Sequence, residues 1–112
     1  MRKFMVLYQS SVSAGEQMAN TTPEQAKAGM DLWMNWAQKA GNAIVDLGSP
    51  LGTAINVSPE SVSTSVTQIS GFSILQAESM DAVTKLLEEH PHFRMGADSS
   101  IEVLEFLPMP GT

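Results

Sequence analysis

The stretch that decides the fold is KFMVLYQ, residues 3–9, because both of its alternating faces are apolar. Phe4, Val6 and Tyr8 fall on one face, and the methionine and leucine between them fall on the other. Strands of this kind are typical of the centre of a sheet that is covered on both sides. The sequence therefore opens with a predicted central strand.

Length and composition predict one domain over residues 1–112 and exclude several classes of function. The chain has no cysteine, which excludes disulfides and thiolate chemistry. Its net charge of -6 makes nucleic acid and anionic membranes unfavourable partners. No stretch approaches the roughly 20 apolar residues of a membrane span, and Phe4–Tyr8 is too short for a signal peptide. We expect a cytoplasmic protein.

The next predicted element is a helix over residues 23–40, after a polar loop at residues 10–21. Thr22 is the predicted N-cap, with proline at the first helical position and Gln25 completing a capping box. Gly41 is suited to end the helix. Spacings of four and three predict a stripe that faces the core, formed by Ala26, Met30, Trp33, Ala37 and Ala40.

The second half of the chain repeats the alternation of strand and helix. Strands are predicted at residues 43–47, 72–77 and 101–107, with a turn at 48–52 after the first of them. A hairpin or long loop is predicted at about 53–70. Ser79 is the predicted cap of a second helix, which Pro91 ends.

This order predicts a ferredoxin-like βαββαβ sandwich of the α+β class, with an extra hairpin or long loop at about 53–70. Two helices can cover only one face of its sheet, yet Met5 and Leu7 lie opposite Phe4, Val6 and Tyr8, and Ile74 lies opposite Leu75, so both faces are apolar. A bare apolar sheet face is unusual for a soluble monomer, and the simplest cover is a second copy. We therefore expect a homodimer through the sheet face, a dimeric α/β barrel.

The chain also resembles the YCII-related domain family. The resemblance covers nearly the whole chain and rests on five stretches in the family's order: Trp33-x-x-Trp36, Gly48-Ser-Pro-Leu-Gly52, Ile69 to Ser79, Pro91-His92-Phe93 and Ile101-Glu102-Val103. It implies a ferredoxin-like fold and a dimeric α/β barrel, in agreement with the burial argument.

The resemblance does not extend to the family's proposed chemistry. Some members are proposed to use a His-Asp dyad, and one branch includes a dehydrochlorinase. Met30 stands near the position of that histidine, and Ala54 or Asn56 stands near the aspartate. Because neither counterpart can hold a proton or a negative charge, the dyad mechanism is not expected here.

The histidines of LEEHPHF, residues 87–93, have three interpretations. In the first, they only mark a helix end, where the helix dipole favours a cationic His90. In the second, His92 is a polar residue on the wall of a pocket. In the third, both bind a metal together with nearby carboxylates. The structural interpretation is preferred over the pocket and the pocket over the metal, because histidines on either side of a proline project in different directions.

Four further residues complete the ligand-binding candidates. Trp33 and Tyr8 are expected mainly in the core and could also contact a ligand. Met30 could line the same pocket. Asp46 lies inside an apolar strand and is either a buried base or, more simply, exposed to water.

Two classes of function remain open. The first is a pocket, between sheet and helices or at the dimer seam, that binds or processes a small organic molecule. The second is a non-catalytic structural or regulatory module whose dimer is the functional unit. The sequence leaves open whether the protein is an enzyme, and no cofactor or metal is expected.

Overall fold

A computed structural model gives the architecture and describes residues 1–94 and 98–111. The four-stranded sheet contains β1 (Arg2–Gln9), β2 (Ile44–Pro50), β5 (Ile69–Ala77) and β6 (Ser100–Glu105). A separate hairpin pairs β3 (Ile55–Val57) with β4 (Val62–Thr64). The helices are α1 (Ala14–Ala19), α2 (Pro23–Ala40) and α3 (Met80–Leu87). Short 3-10 turns occur at Gly41–Ala43 and Pro91–Arg94.

The sheet is antiparallel, in the order β2-β5-β1-β6, with β1 at an interior position. Together with the two long connections through helices, this is the ferredoxin-like α+β arrangement that the sequence predicts. The extra hairpin also lies where it was expected, and the Ser58 amide closes its turn on the Ser61 carbonyl at 2.8 Å.

The core lies between the sheet and the helices. Phe4, Val6 and Leu75 are fully buried on the sheet side, and Trp36 and Val83 cover them from α2 and α3. A side chain of this size stabilises the fold by about 1.5–3 kcal/mol when it leaves water. The alternate face of β1, which carries Met5 and Leu7, is only partly buried.

The caps of the two long helices agree with the sequence. The Thr22 hydroxyl accepts from the Gln25 amide at 3.1 Å, and the Gln25 side chain accepts from the Thr22 amide at 3.0 Å, which completes the capping box. Gly41 ends α2 with a φ of 55°. Ser79 caps α3, as predicted.

Two local predictions are wrong. The predicted loop at 10–21 contains α1, which is capped by the Ser13 hydroxyl accepting from the Glu16 amide at 3.1 Å. The spacing Ser13-x-x-Glu16 is the signal that could have found it. The predicted turn at 48–52 is also displaced, since β2 continues through Gly48 to Pro50 with an irregularity between Asp46 and Ser49.

The sheet face opposite the helices, called the uncovered face below, is only partly buried within the described residues. Its centre is apolar, because Met5 lies between Ile74 and Leu104 and Leu7 lies beside Phe72. The molecule is flat, with extents of 46 × 46 × 21 Å. Its radius of gyration of 15.6 Å exceeds the about 13 Å typical of a compact domain of this length.

Among the described helices, none combines the length and apolarity that spanning a bilayer requires.

Candidate functional site

A cavity of about 750 Å³ opens between α1, the first half of α2 and the ends of the strands. Its size lies within the roughly 300–1,000 Å³ range of small-molecule pockets. Most of the wall is apolar. The apolar side chains on it include Ala14 and Met18 from α1, Ala26, Met30, Leu32 and Trp33 from α2, and Leu47 and Pro50 from β2.

Four of the five candidate residues from the sequence lie on this wall, namely Tyr8, Met30, Trp33 and His92. Asp46 does not. Its side chain is exposed, and one carboxylate oxygen accepts from the Gly48 amide at 2.8 Å. Asp46 therefore holds the backbone beside the irregularity in β2. Because its side chain is exposed, it is not the buried base that was one of its two interpretations.

Met30 differs from the sequence interpretation in one respect. It was expected to face the core, yet it is 61 % exposed. Trp33, Ala37 and Ala40 of the same stripe pack on the core cluster. The first half of α2 instead spans the cavity, so that Ala26 and Met30 form part of its wall.

The Tyr8 hydroxyl is held by a chain of hydrogen bonds inside the sheet. Ser73 donates its proton to the Leu47 carbonyl at 2.6 Å, so Tyr8 must donate to the Ser73 hydroxyl at 2.8 Å. Burial raises the pKa of Tyr8 to about 12, an effect that the bond to Ser73 partly offsets. At neutral pH, Tyr8 is therefore a phenol whose proton is already used.

His90 is a core residue rather than part of a helix end. It lies beyond α3, which ends at Leu87, and is 1 % exposed. Its ring lies among Tyr8, Trp33 and Trp36, with ring centroids 4.8, 4.4 and 4.4 Å away. The prediction of a cationic His90 is wrong, because burial, with a smaller contribution from His92, lowers its pKa to about 3.

The hydrogen bonds of His90 fix its neutral tautomer. Its Nδ1 accepts from the His92 amide at 3.0 Å, so the ring proton is on Nε2. Nε2 is buried without a hydrogen-bond partner in the described part of the chain. The neighbouring tryptophan rings can offer it the weak attraction of an aromatic face. His90 thus fixes the backbone that presents His92.

His92 joins the ends of β1 and β6 and also lines the cavity. Its Nε2 lies 2.8 Å from the Gln9 carbonyl and 3.0 Å from the Ser100 carbonyl, and Gln9 and Ser100 are partners in the sheet. Since both partners are acceptors, Nε2 carries the proton and donates it. In the neutral ring, Nδ1 then has a free lone pair. Both histidines therefore make hydrogen bonds to the backbone, and His92 is in addition a wall residue.

The burial of His90 predicts that the protein loses stability in mild acid. The pKa of His90 is about 3 when folded and about 6.5 when unfolded, so between these values only the unfolded chain binds the proton. Stability is complete above pH 6.5 and falls as the pH drops, by about 2 kcal/mol at pH 5.

Urea unfolding at pH 7 and pH 5 measures this loss. His90→Asn keeps an acceptor for the His92 amide and has no proton to gain, so we expect it to remove most of the difference. Equal losses in the wild type and the variant would contradict the assignment of the loss to His90.

Sequence reasoning missed two parts of the site. One is α1, which supplies Ala14, Gln17 and Met18 to the wall. The other is Arg94, which follows His92 on the 3-10 turn and carries the only charge on the wall within the described residues. Nothing in the sequence around Arg94 distinguishes it from a surface cation.

Metal chemistry has no cluster of ligands to support it within residues 1–94 and 98–111. No group of three or more histidine, aspartate or glutamate side chains is placed to hold an ion there. His90 and His92 use one ring nitrogen each for hydrogen bonds inside the protein.

Comparisons with known proteins bear on the fold alone. No family model matches the chain, and no curated protein matches it. Among solved structures, it is similar to 5-chloro-2-hydroxyhydroquinone dehydrochlorinase from Burkholderia phenoliruptrix AC1100, solved in complex with 2,5-dihydroxybenzoquinone. The identity is 19 %, the TM-score is 0.50, and the match covers 91 % of each chain. This likeness supports the ferredoxin-like α+β fold over nearly the whole length of the chain.

Proposed function

We propose that this protein binds a small organic molecule in the cavity between α1, α2 and the sheet. The observation that carries the proposal is the cavity itself, whose volume of about 750 Å³ and largely apolar wall suit such a ligand. A few polar groups, among them His92 and Arg94, would fix its orientation. The structural neighbour, which acts on a substituted hydroquinone, is consistent with this use of the fold.

We further propose that the chain belongs to the YCII-related family and forms its homodimer. The uncovered sheet face has an apolar centre at Met5, Leu7 and Ile74 and charged residues near its edges, an arrangement typical of interfaces. The flat shape of one copy supports the same conclusion, because a second copy would supply the missing layer.

A second candidate function is favoured by this same face. If the dimer itself is the functional unit, the protein is a structural or regulatory module and the cavity is incidental. The hairpin adds to this possibility, since Ile55, Val57 and Val62 are all more than half exposed on it. The two functions differ in one result, which is whether a small molecule binds in the cavity.

A dye titration tests the cavity. Phenylnaphthylamine is a neutral apolar molecule that becomes fluorescent on leaving water, and we expect it to bind. Gly29→Phe places a ring on the cavity wall, at a position where an added Cβ meets no atom within 4 Å. The variant is expected to weaken dye binding about tenfold or more, because the ring occupies volume that the dye needs.

The matched control is Gly52→Phe, which adds the same ring outside this cavity at a position with equal free space. It is expected to bind the dye as the wild type does. Equal affinities of all three proteins, or no binding at all, would contradict the proposed function and leave the assembly module as the better account.

A further inference from the structure

The charges around the cavity are unevenly distributed. The chain has 12 carboxylate side chains against 6 lysines and arginines, yet no acidic residue lies on the cavity wall within residues 1–94 and 98–111. Arg94 is the one charged residue on the wall in the part of the chain that the structure describes. No carboxylate in that part of the chain lies within ion-pair distance of the Arg94 guanidinium. A molecule that is acidic overall thus presents a cavity whose charge is positive.

The hydrogen-bond donors of the wall are also mostly occupied. Five polar side chains on the wall donate a proton to acceptors inside the protein, namely Tyr8, Gln17, Thr21, Ser49 and Ser70. Their hydroxyl protons are used, and the Gln17 amide has contacts to Val12 and Ser10. A ligand that needs donors therefore finds the Arg94 guanidinium, with the Gln25 amide nitrogen and the Trp33 indole N–H as neutral additions.

His92 lies near Arg94 on the same turn. Unlike the guanidinium, its neutral ring has no proton left to donate to a ligand. Its Nε2 proton is donated to two backbone carbonyls, so its Nδ1 can only accept in the neutral ring. The ring is 2 % exposed and lies on the cavity wall. His92 therefore adds no free donor beside the Arg94 cation.

We propose that the ligand is an apolar organic acid, bound as its anion with the acidic group beside Arg94. This inference rests on the proposed function and names the class of molecule that the cavity takes. The apolar body of the ligand packs among Met18, Met30 and Trp33, and its anionic oxygens accept from the guanidinium.

Two dyes with the same ring system show how much of the binding affinity depends on the charge of the ligand and how much on its shape. Anilinonaphthalene sulfonate carries an anionic group on the skeleton of phenylnaphthylamine, which is neutral. Although the protein is acidic overall, we expect the sulfonate to bind at least as tightly as the neutral dye. Arg94→Gln should weaken sulfonate binding about tenfold and leave phenylnaphthylamine binding within about twofold, because only the anion pairs with the guanidinium.

Lys85→Gln is the control, since it removes one positive charge from the exposed side of α3, away from the cavity wall. It should leave the affinities for both dyes nearly unchanged, because salt screens the interaction between a dye and a distant exposed charge. Suppose that phenylnaphthylamine binds, while the sulfonate binds more weakly and with an affinity that Arg94→Gln does not change. The proposal that the ligand is an organic acid is then overturned, and the cavity remains a binding site. If neither dye binds, the proposed function fails and this inference with it.

Discussion

Replacing Gly48 with alanine is expected to lower the free energy of unfolding by about 3 kcal/mol or more. Gly48 has a φ of 84°, where an alanine costs about 1–2 kcal/mol. A Cβ atom there would also overlap the backbone carbonyl of Phe72 in β5. The two strands would have to separate locally, at a cost of about 1 kcal/mol for each ladder hydrogen bond lost.

Urea unfolding at a fixed protein concentration measures the effect of Gly48→Ala. Gly52→Ala is the control, because that glycine has no positive φ and an added Cβ meets no atom within 4 Å. It is expected to unfold at nearly the wild-type midpoint. A Gly48→Ala protein as stable as this control would contradict the close approach of Gly48 in β2 to the Phe72 carbonyl in β5.

Replacing Leu7 with lysine is expected to dissociate the proposed homodimer while each chain remains folded. Leu7 lies opposite Glu102 on β6, so the added cation gains an acidic neighbour within one chain. In the dimer, two-fold symmetry buries two such lysines, each at a cost of roughly 2 kcal/mol. The dissociation constant should therefore rise by about three orders of magnitude.

Sedimentation equilibrium over a dilution series tests the dimer. The wild type should show a mass of twice 12.0 kDa, and Leu7→Lys should show 12.0 kDa with an unchanged circular dichroism spectrum. Gln38→Lys adds the same charge on the exposed surface of α2 and should remain dimeric. A wild-type protein that is a stable monomer on dilution would contradict the account of the sheet face.

The sequence predicts the parts of this fold that local chemistry determines. The two apolar faces of residues 3–9 correctly predict the interior position of β1. Thr22 and Gln25 give the start of α2 because a capping box needs only four consecutive residues. The hairpin strands alternate around a turn and are therefore readable from their own residues.

The site is harder to predict because its geometry depends on contacts between distant residues. The environment of His90 comes from β1 and α2, and only that environment makes it a neutral core residue. Met30 has the spacing of a core residue, and periodicity along a helix does not show where the helix leaves the sheet. Arg94 joins the cavity through the position of its turn, which no pattern around it records.

We propose that the cavity, and not the apolar sheet face, receives a small molecule. Two-dimensional NMR of the isotope-labelled protein during addition of phenylnaphthylamine tests this most directly. We predict large shifts for the amides of Gly29 and Gly48 and for the indole of Trp33, with little change at Met5 and Ile74 on the uncovered face. The Trp36 indole, bonded to the Leu86 carbonyl at 2.8 Å, is expected to move little. Shifts confined to β1 and β5 residues of the uncovered face, with Gly29 and Trp33 unchanged, would contradict the account.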